Sequence, residues 1–232
     1  MGSATYHTMT IKQRLMSAII SVSLLTPIWA SGPMIALTFD DGPIPGATEE
    51  LIQLLERHRV RATFLVTGRA CERYPELVRL VATSGHELGN HSYSHMRLTG
   101  LTDDQIGLEL RATSHIIETL IGKKVTWYRP PGGLLDARVI HAADEADLKL
   151  ATWDVNAADA KTPDKSLSPD EVRVYQDRLL SKIKSGSIIL MHNGSRGTLQ
   201  VLPGLIVALE SKGYHCVTLT ELDQHNRHRH HR

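Results

Sequence analysis

Met34-Ile35-Ala36-Leu37-Thr38-Phe39 is an unbroken apolar and β-branched run that leads straight into Asp40-Asp41-Gly42. A short run without alternation, closed by turn residues, predicts a strand buried on both faces, which is the situation of a parallel sheet covered by helices. Working outward, comparable segments recur at 62–66, 86–89, 125–129, 149–153, 187–191 and 215–219, giving about seven parallel strands. Helix-period stretches lie between them. In 102–121 the residues Ile106, Leu110, Thr113, Ile117, Leu120 and Ile121 share one face. Ser168-Pro169-Asp170-Glu171 carries the N-cap, N1 and N3 residues of a capping box, and Val172, Tyr175, Leu179 and Ile183 follow at helical spacing up to Ser185-Gly186. Strands alternating with helices make this an α/β chain, either an open doubly wound sheet or a barrel. Both place function in the loops after the carboxyl ends of the strands.

Composition narrows the partners. Among 232 residues, 26 Lys+Arg nearly cancel 25 Asp+Glu, so no net field attracts a phosphate backbone and no nucleic-acid partner is expected. Cys71 and Cys216 are too few for a disulfide scaffold, and their expected placement at opposite ends of the strands predicts that they are unpaired. At the amino end a basic stretch from Lys12 to Arg14, an apolar run from Leu15 to Leu25 and a small residue at Ala30 resemble a secretory signal peptide. Residues 1–31 are therefore expected to be a leader, with no stable membrane span after processing and a secreted, periplasmic or cell-envelope location. Residues 32–223 are expected to form one monomeric domain, and the His/Arg-rich 224–232 a disordered tail.

The loops after the strands collect the ionisable groups. Asp40 and Asp41 follow the first strand, His91-Ser92-Tyr93-Ser94-His95 the third, and Arg129-Pro130-Pro131-Gly132-Gly133 the fourth. Trp153-Asp154 with Asp159 follows the fifth, and Leu190-Met191-His192 closes the sixth. On a helical turn, histidines four apart would present both imidazoles to one ion. A carboxylate from Asp40 or Asp41 would then complete a 2-His-1-carboxylate set for a divalent metal. Of two adjacent aspartates, one can bind metal while the other takes a proton. Arg129 has the planar fork that clamps a carboxylate.

In this order, the motifs resemble those of the NodB-type polysaccharide deacetylases, carbohydrate esterase family 4: TFDDG at 38–42, HSYSH at 91–95, RPPGG at 129–133, the segment 153–159, and LMH at 190–192. The resemblance spans roughly Met34 to Leu222. It implies a distorted (β/α) barrel and a hydrolase that removes N-acetyl groups from N-acetylglucosamine-containing glycans such as chitin oligomers or peptidoglycan. By the same resemblance Asp41, His91 and His95 bind one divalent ion, usually Zn2+ with Co2+ as an alternative. Asp40 is the general base, held by Arg129, and His192 the general acid, paired with Asp159. Pro131, Gly132, Trp153 and Leu190 would contact substrate, with the Gly132 N–H facing the oxyanion. Four positions depart from the family pattern: Gly132 stands where Tyr is frequent, Asn156 and Ala160 where Asp and Trp are, and Asn193 where Asp is. An O-deacetylase of acetylated xylan and a catalytically silent sugar-binding protein are the rival readings. No G-x-S-x-G elbow, G-x-G-x-x-G fingerprint or P-loop is present, which disfavours a serine hydrolase and a nucleotide enzyme.

Overall fold

The computed structural model describes residues 32–159 and 166–230. Its hub is β1 (Met34–Asp40), buried at every position as its sequence predicts. One edge of β1 pairs with β7 (Ile188–His192) in parallel register from Ala36–Ile188 to Asp40–His192. The other edge is shared: β8 (His215–Val217) pairs with Met34 to Ala36, and β2 (Thr63–Val66) with Thr38 to Asp40. From β2 the sheet continues through β3 (Glu87–Asn90), β4 (Trp127–Tyr128) and β5 (Lys149–Leu150), while β6 (Val155–Asn156) lies beyond β7. The two end strands, β5 and β6, are neighbours in sequence, so residues 151–154 hold the sheet ends near each other without a ladder between them. The result is an incomplete, distorted parallel barrel.

Period-two alternation sorts the side chains of β1 between two layers. Ile35, Leu37 and Phe39 join the large core under the helices, whereas Met34 and Ala36 meet Leu65, Trp127, Ala151, Val217 and Leu219 inside the barrel. Thr38 and Asp40 continue that interior row toward the carboxyl end. The same alternation in β7 sends Ile189 and Met191 to the helix layer and leaves His192 next to Asp40 across the ladder.

Helices α1 (Ala47–Arg57), α2 (Gly68–Arg73), α3 (Pro75–Thr83), α4 (Asp103–Ile121), α5 (Ala137–Glu145), α6 (Pro169–Leu180) and α7 (Arg196–Ser211) surround the sheet. α4 buries Ile106, Leu110, Thr113 and Ile117, the face read from its periodicity; a Thr102–Gln105 capping box starts it and left-handed Gly122 stops it. The Ser168–Glu171 box likewise starts α6.

Three expectations need correction. The runs 125–129 and 149–153 pair over two residues each, because their ends turn away to build the cleft described below. β6 is a further strand too short for a periodic signal. The predicted tail from 224 is helical as far as His230, in α8 (Leu219–His230). Its start is fixed by a box in which the Thr218 N–H donates to Glu221 and the Glu221 N–H to Thr218 Oγ1, and Asp223 pairs with Arg227 one turn on. Leu219 and Leu222 plug the amino end of the barrel. The leader lies outside the described residues. Cys71 in α2 and Cys216 in β8 are free thiols, and among the described residues no helix is long and apolar enough to cross a membrane.

Candidate active site

At the carboxyl end of the barrel a cleft of about 570 Å3 is lined by Asp40, Asp41, His91, His95, Gly132, Gly133, Trp153, Asn156, Ala158, Leu190 and His192. Asp40 is the last residue of the interior row and is buried. Arg129, 1% exposed, reaches it from the end of β4: Nη1 donates to Asp40 Oδ1 at 2.6 Å and to Thr38 Oγ1 at 2.9 Å. The guanidinium is locked by Nε to Ala151 O at 2.8 Å and Nη2 to Thr152 O at 3.1 Å, in the gap between the sheet ends. A buried cation with four acceptors around a single buried carboxylate is a pair whose members cannot separate cheaply.

Asp41 leaves the strand with φ 68°, which turns its carboxylate away from that of Asp40. His91 Nδ1 lies 2.7 Å from the Arg129 carbonyl; only an N–H can make that contact, so Nε2 carries the lone pair and faces Asp41 Oδ1 at 3.6 Å. His95 Nε2 lies 3.2 Å from the same oxygen. Ligand atoms of Asp41, His91 and His95 all fall within 4.8 Å of one another. The two histidines do not sit on a helical turn as their spacing suggested. They lie on a loop in which Ser92 and His95 adopt positive φ, and the reversed backbone brings the imidazole centroids to 5.0 Å. Glu109 of α4 fixes that loop by accepting the Tyr93 and Ser94 N–H groups, each at 2.8 Å, and the Ser94 hydroxyl at 2.7 Å.

On the opposite wall His192 Nδ1 lies 2.8 Å from Asp159 Oδ1, and the His192 N–H donates to Asp159 Oδ2 at 2.7 Å. Thr198 Oγ1 also donates to Asp159, whose side chain is fully buried. Burial alone would lower the pKa of His192, but the Asp159 hydrogen bond and the charges of Asp159, Asp40 and Asp41 raise it. For His91 burial prevails over the two aspartates and lowers the pKa, favouring the neutral ligand form. Asp41 is held below the usual carboxylate range, since the His95 hydrogen bond and nearby imidazoles outweigh its burial.

Each residue expected at the site therefore reaches the cleft or stands directly behind it, except Pro131. That ring is buried and lines no wall; Gly132 and Gly133, both with φ 69°, form the surface instead. A Cβ on Gly133 would come within 2.4 Å of Trp153 Cη2, so the indole rests on bare backbone there. The guanidinium of Arg129 lies 5.5 Å from the same indole. Thr38, Glu109 and Thr198 were not read from sequence as site residues. Thr38 and Thr198 act through another side chain and Glu109 through the 93–94 loop, and only the period-two position of Thr38 relative to Asp40 gave any signal.

Known proteins resemble this chain in sequence and overall fold. The polysaccharide deacetylase family matches residues 30–151. A peptidoglycan-N-acetylglucosamine deacetylase of Bacillus cereus is 33% identical over 207 residues, 86% of this chain and 73% of that protein. Another curated relative, an uncharacterised protein of Bacillus subtilis at 37% identity, is spanned over 52% of its length. The structure of the peptidoglycan deacetylase PdaC from Bacillus subtilis superposes with TM-score 0.77 at 31% identity, covering 87% of this chain and 95% of that one. A pseudoenzyme of carbohydrate esterase family 4 from Bacillus anthracis superposes with TM-score 0.73 at 30% identity, covering 83% and 66%. This chain belongs to the polysaccharide deacetylase family.

Proposed function

We propose that this chain hydrolyses N-acetyl groups of N-acetylglucosamine units in a cell-envelope glycan, acting as a monomer outside the cytoplasm. The observation that carries the reading is the juxtaposition, in one cleft, of two differently supported pairs, Asp40–Arg129 and His192–Asp159, flanking the Asp41, His91 and His95 donor set. Two imidazole nitrogens and a carboxylate oxygen are a donor set suited to Zn2+ or Co2+, and the His91 tautomer is already the ligating one. When bound, such an ion supplies a Lewis acid that polarises the acetyl carbonyl and acidifies water.

The remaining work falls to the chain. Asp40, held by the Arg129 guanidinium, takes the proton of the attacking water. The Gly132 N–H, from a residue lining the cleft, donates to the oxygen that becomes negative as the carbonyl carbon turns tetrahedral. His192, charged against Asp159, gives its proton to the nitrogen as the C–N bond breaks, and the free amine and acetate leave. Trp153 and Leu190 give the sugar ring an apolar wall. All five acid, base and ligand positions hold competent side chains, which supports an enzyme over a silent sugar binder.

The test is acetate release from N-acetylglucosamine oligomers, peptidoglycan and acetylated xylan, with and without chelator, alongside metal analysis. One equivalent of divalent ion and chelator-sensitive release from the amino sugars supports the proposal. Preference for xylan overturns the amidase reading, and no release by metal-loaded protein overturns the catalytic one.

A further inference from the structure

A second cavity, of about 380 Å3, opens beside the catalytic cleft and shares Asp41 and His95 with it. Its far wall is made by Arg69 and Arg73 of α2, four residues and hence one turn apart, with Tyr74 and Tyr93. Both arginines are exposed, and among the described residues neither takes part in an ion pair. The neighbouring acids are engaged elsewhere: Glu72 accepts the Tyr93 hydroxyl at 2.7 Å, and Glu109 holds the Tyr93–Ser94 backbone. Arg73 lies over the Tyr74 ring, 5.4 Å from its centroid.

The backbone that carries the arginines is tied to the metal-donor loop. The Thr67 N–H donates to Gly42 O at 3.1 Å, Gly68 to Ser92 O at 3.0 Å and Arg69 to Tyr93 O at 3.0 Å. A Cβ on Gly68 would lie 2.5 Å from the Tyr93 ring, so α2 can dock this closely only with glycine there. A pair of unpaired guanidiniums on an anchored helical turn, beside two tyrosine rings, suits a carboxylate: planar forks match the anion, and tyrosine rings pack on a sugar face.

We infer that Arg69 and Arg73 form a subsite for a carboxylate carried by the sugar unit next to the one being deacetylated, whether that carboxylate is a lactyl ether, a peptide end or a uronic acid. The subsite rests on the proposed glycan deacetylation and adds to it a preference for acidic over neutral chains. Its charge dependence also predicts that the preference shrinks as ionic strength rises.

The test compares metal-loaded wild type with the double variant Arg69→Gln/Arg73→Gln and with Arg69→Lys/Arg73→Lys. Substrates are a muramic-acid-containing tetrasaccharide, the same compound methyl-esterified at the lactyl group, its peptide-substituted form, and N-acetylglucosamine tetramer. In the glutamine variant the ratio of kcat/KM on the free acid to that on the neutral tetramer falls about tenfold, through KM, and the lysine variant recovers part of it. Methyl esterification lowers the wild-type value by a similar factor. A better peptide-substituted than lactyl substrate assigns the carboxylate to the peptide. An unchanged ratio, or equal loss on acidic and neutral chains, overturns the subsite. If wild type releases acetate from none of these, calorimetric binding of the free acid and its ester separates the two readings: discrimination lost in the glutamine variant keeps the subsite while deacetylation fails, and no discrimination overturns the subsite as well.

Discussion

The two ends of the barrel are built from the same interior rows of side chains and end in opposite chemistry. At the amino end Thr63, Glu87 and Thr220 form a closed network. The Thr63 hydroxyl donates to Glu87 at 2.8 Å and accepts the Leu219 N–H at 2.9 Å, and Trp127 Nε1 donates to Thr220 Oγ1 at 3.0 Å. α8 seals that end. At the carboxyl end the corresponding groups, Asp40, Asp41, His91, His95 and His192, converge on a cleft and keep lone pairs and protons directed into it. Polar groups that satisfy one another hold a fold together, whereas groups held apart by supports behind them are left with capacity to act on something else. Substitution at the mouth should therefore change turnover more than stability, and at the floor the reverse.

The sharpest break in that comparison is Asp40→Asn. The amide keeps an oxygen for Arg129 but cannot take a proton, so kcat is expected to fall by about 10³-fold or more. Metal stoichiometry should stay at the wild-type level, while the buried Arg129 charge, now without a counter-charge, lowers Tm. His95→Ala should instead weaken metal binding itself. Equal metal loss in the two variants, measured by equilibrium dialysis, would contradict the division between Asp40 and Asp41.

Next in size is a pH effect at the other end. His86, just before β3, is buried against Phe64, accepts the Ala62 N–H through Nδ1 at 3.3 Å and has no partner at Nε2 among the described residues. Burial pushes its pKa down to about 4, assisted by Arg61 and opposed by Glu56. A depressed histidine binds its proton more readily unfolded, so its stabilising contribution is whole above 6.5 and drains away as pH falls toward 4. The loss is about 3 kcal/mol by the bottom of that window. Urea unfolding at several pH values should give a steeper acid-side fall for wild type than for His86→Leu; parallel curves would remove His86 as the cause. Glu87→Ala, which strips the acceptor from two threonine hydroxyls and the Thr220 N–H, should cost about 2 kcal/mol of stability by denaturant titration. A comparable fall in kcat would show that the two ends are not separable.

The same contrast governs what the sequence discloses. β1 was legible because burial on both faces writes an unbroken apolar run, and α4 because a half-buried helix writes a period. Asp40, Asp41, His91, His95, Arg129, Asp159 and His192 were legible because they close strands or follow them closely. The loop that carries His91 and His95 was not, since its positive φ values at Ser92 and His95 have no propensity signature. β6 and the short pairing of β4 and β5 depend on partners distant in sequence. α8 was missed for another reason: the His/Arg composition of its end masks the Thr218–Glu221 box that starts it.

Thr198→Val gives the smallest effect and the finest test of the contrast. Thr198 lies in the first turn of α7, where its N–H donates to the Ser195 N-cap hydroxyl and its own hydroxyl donates to Asp159. The isosteric valine keeps the packing and the helix start but removes one of the hydrogen bonds that orient Asp159, and through it the His192 ring. Loss of such a supporting bond typically costs about 10- to 100-fold in activity or metal affinity, and here the low end is expected, in kcat rather than KM, because Asp159 still accepts the His192 N–H and faces its ring. Because the Asp159 hydrogen bond is what raises the His192 pKa, the alkaline limb of the pH–rate profile should shift, and Thr198→Ser should restore it. A fall in Tm with kcat and the pH profile unchanged would place Thr198 with the floor residues, as a satisfied polar group whose role is to hold the fold.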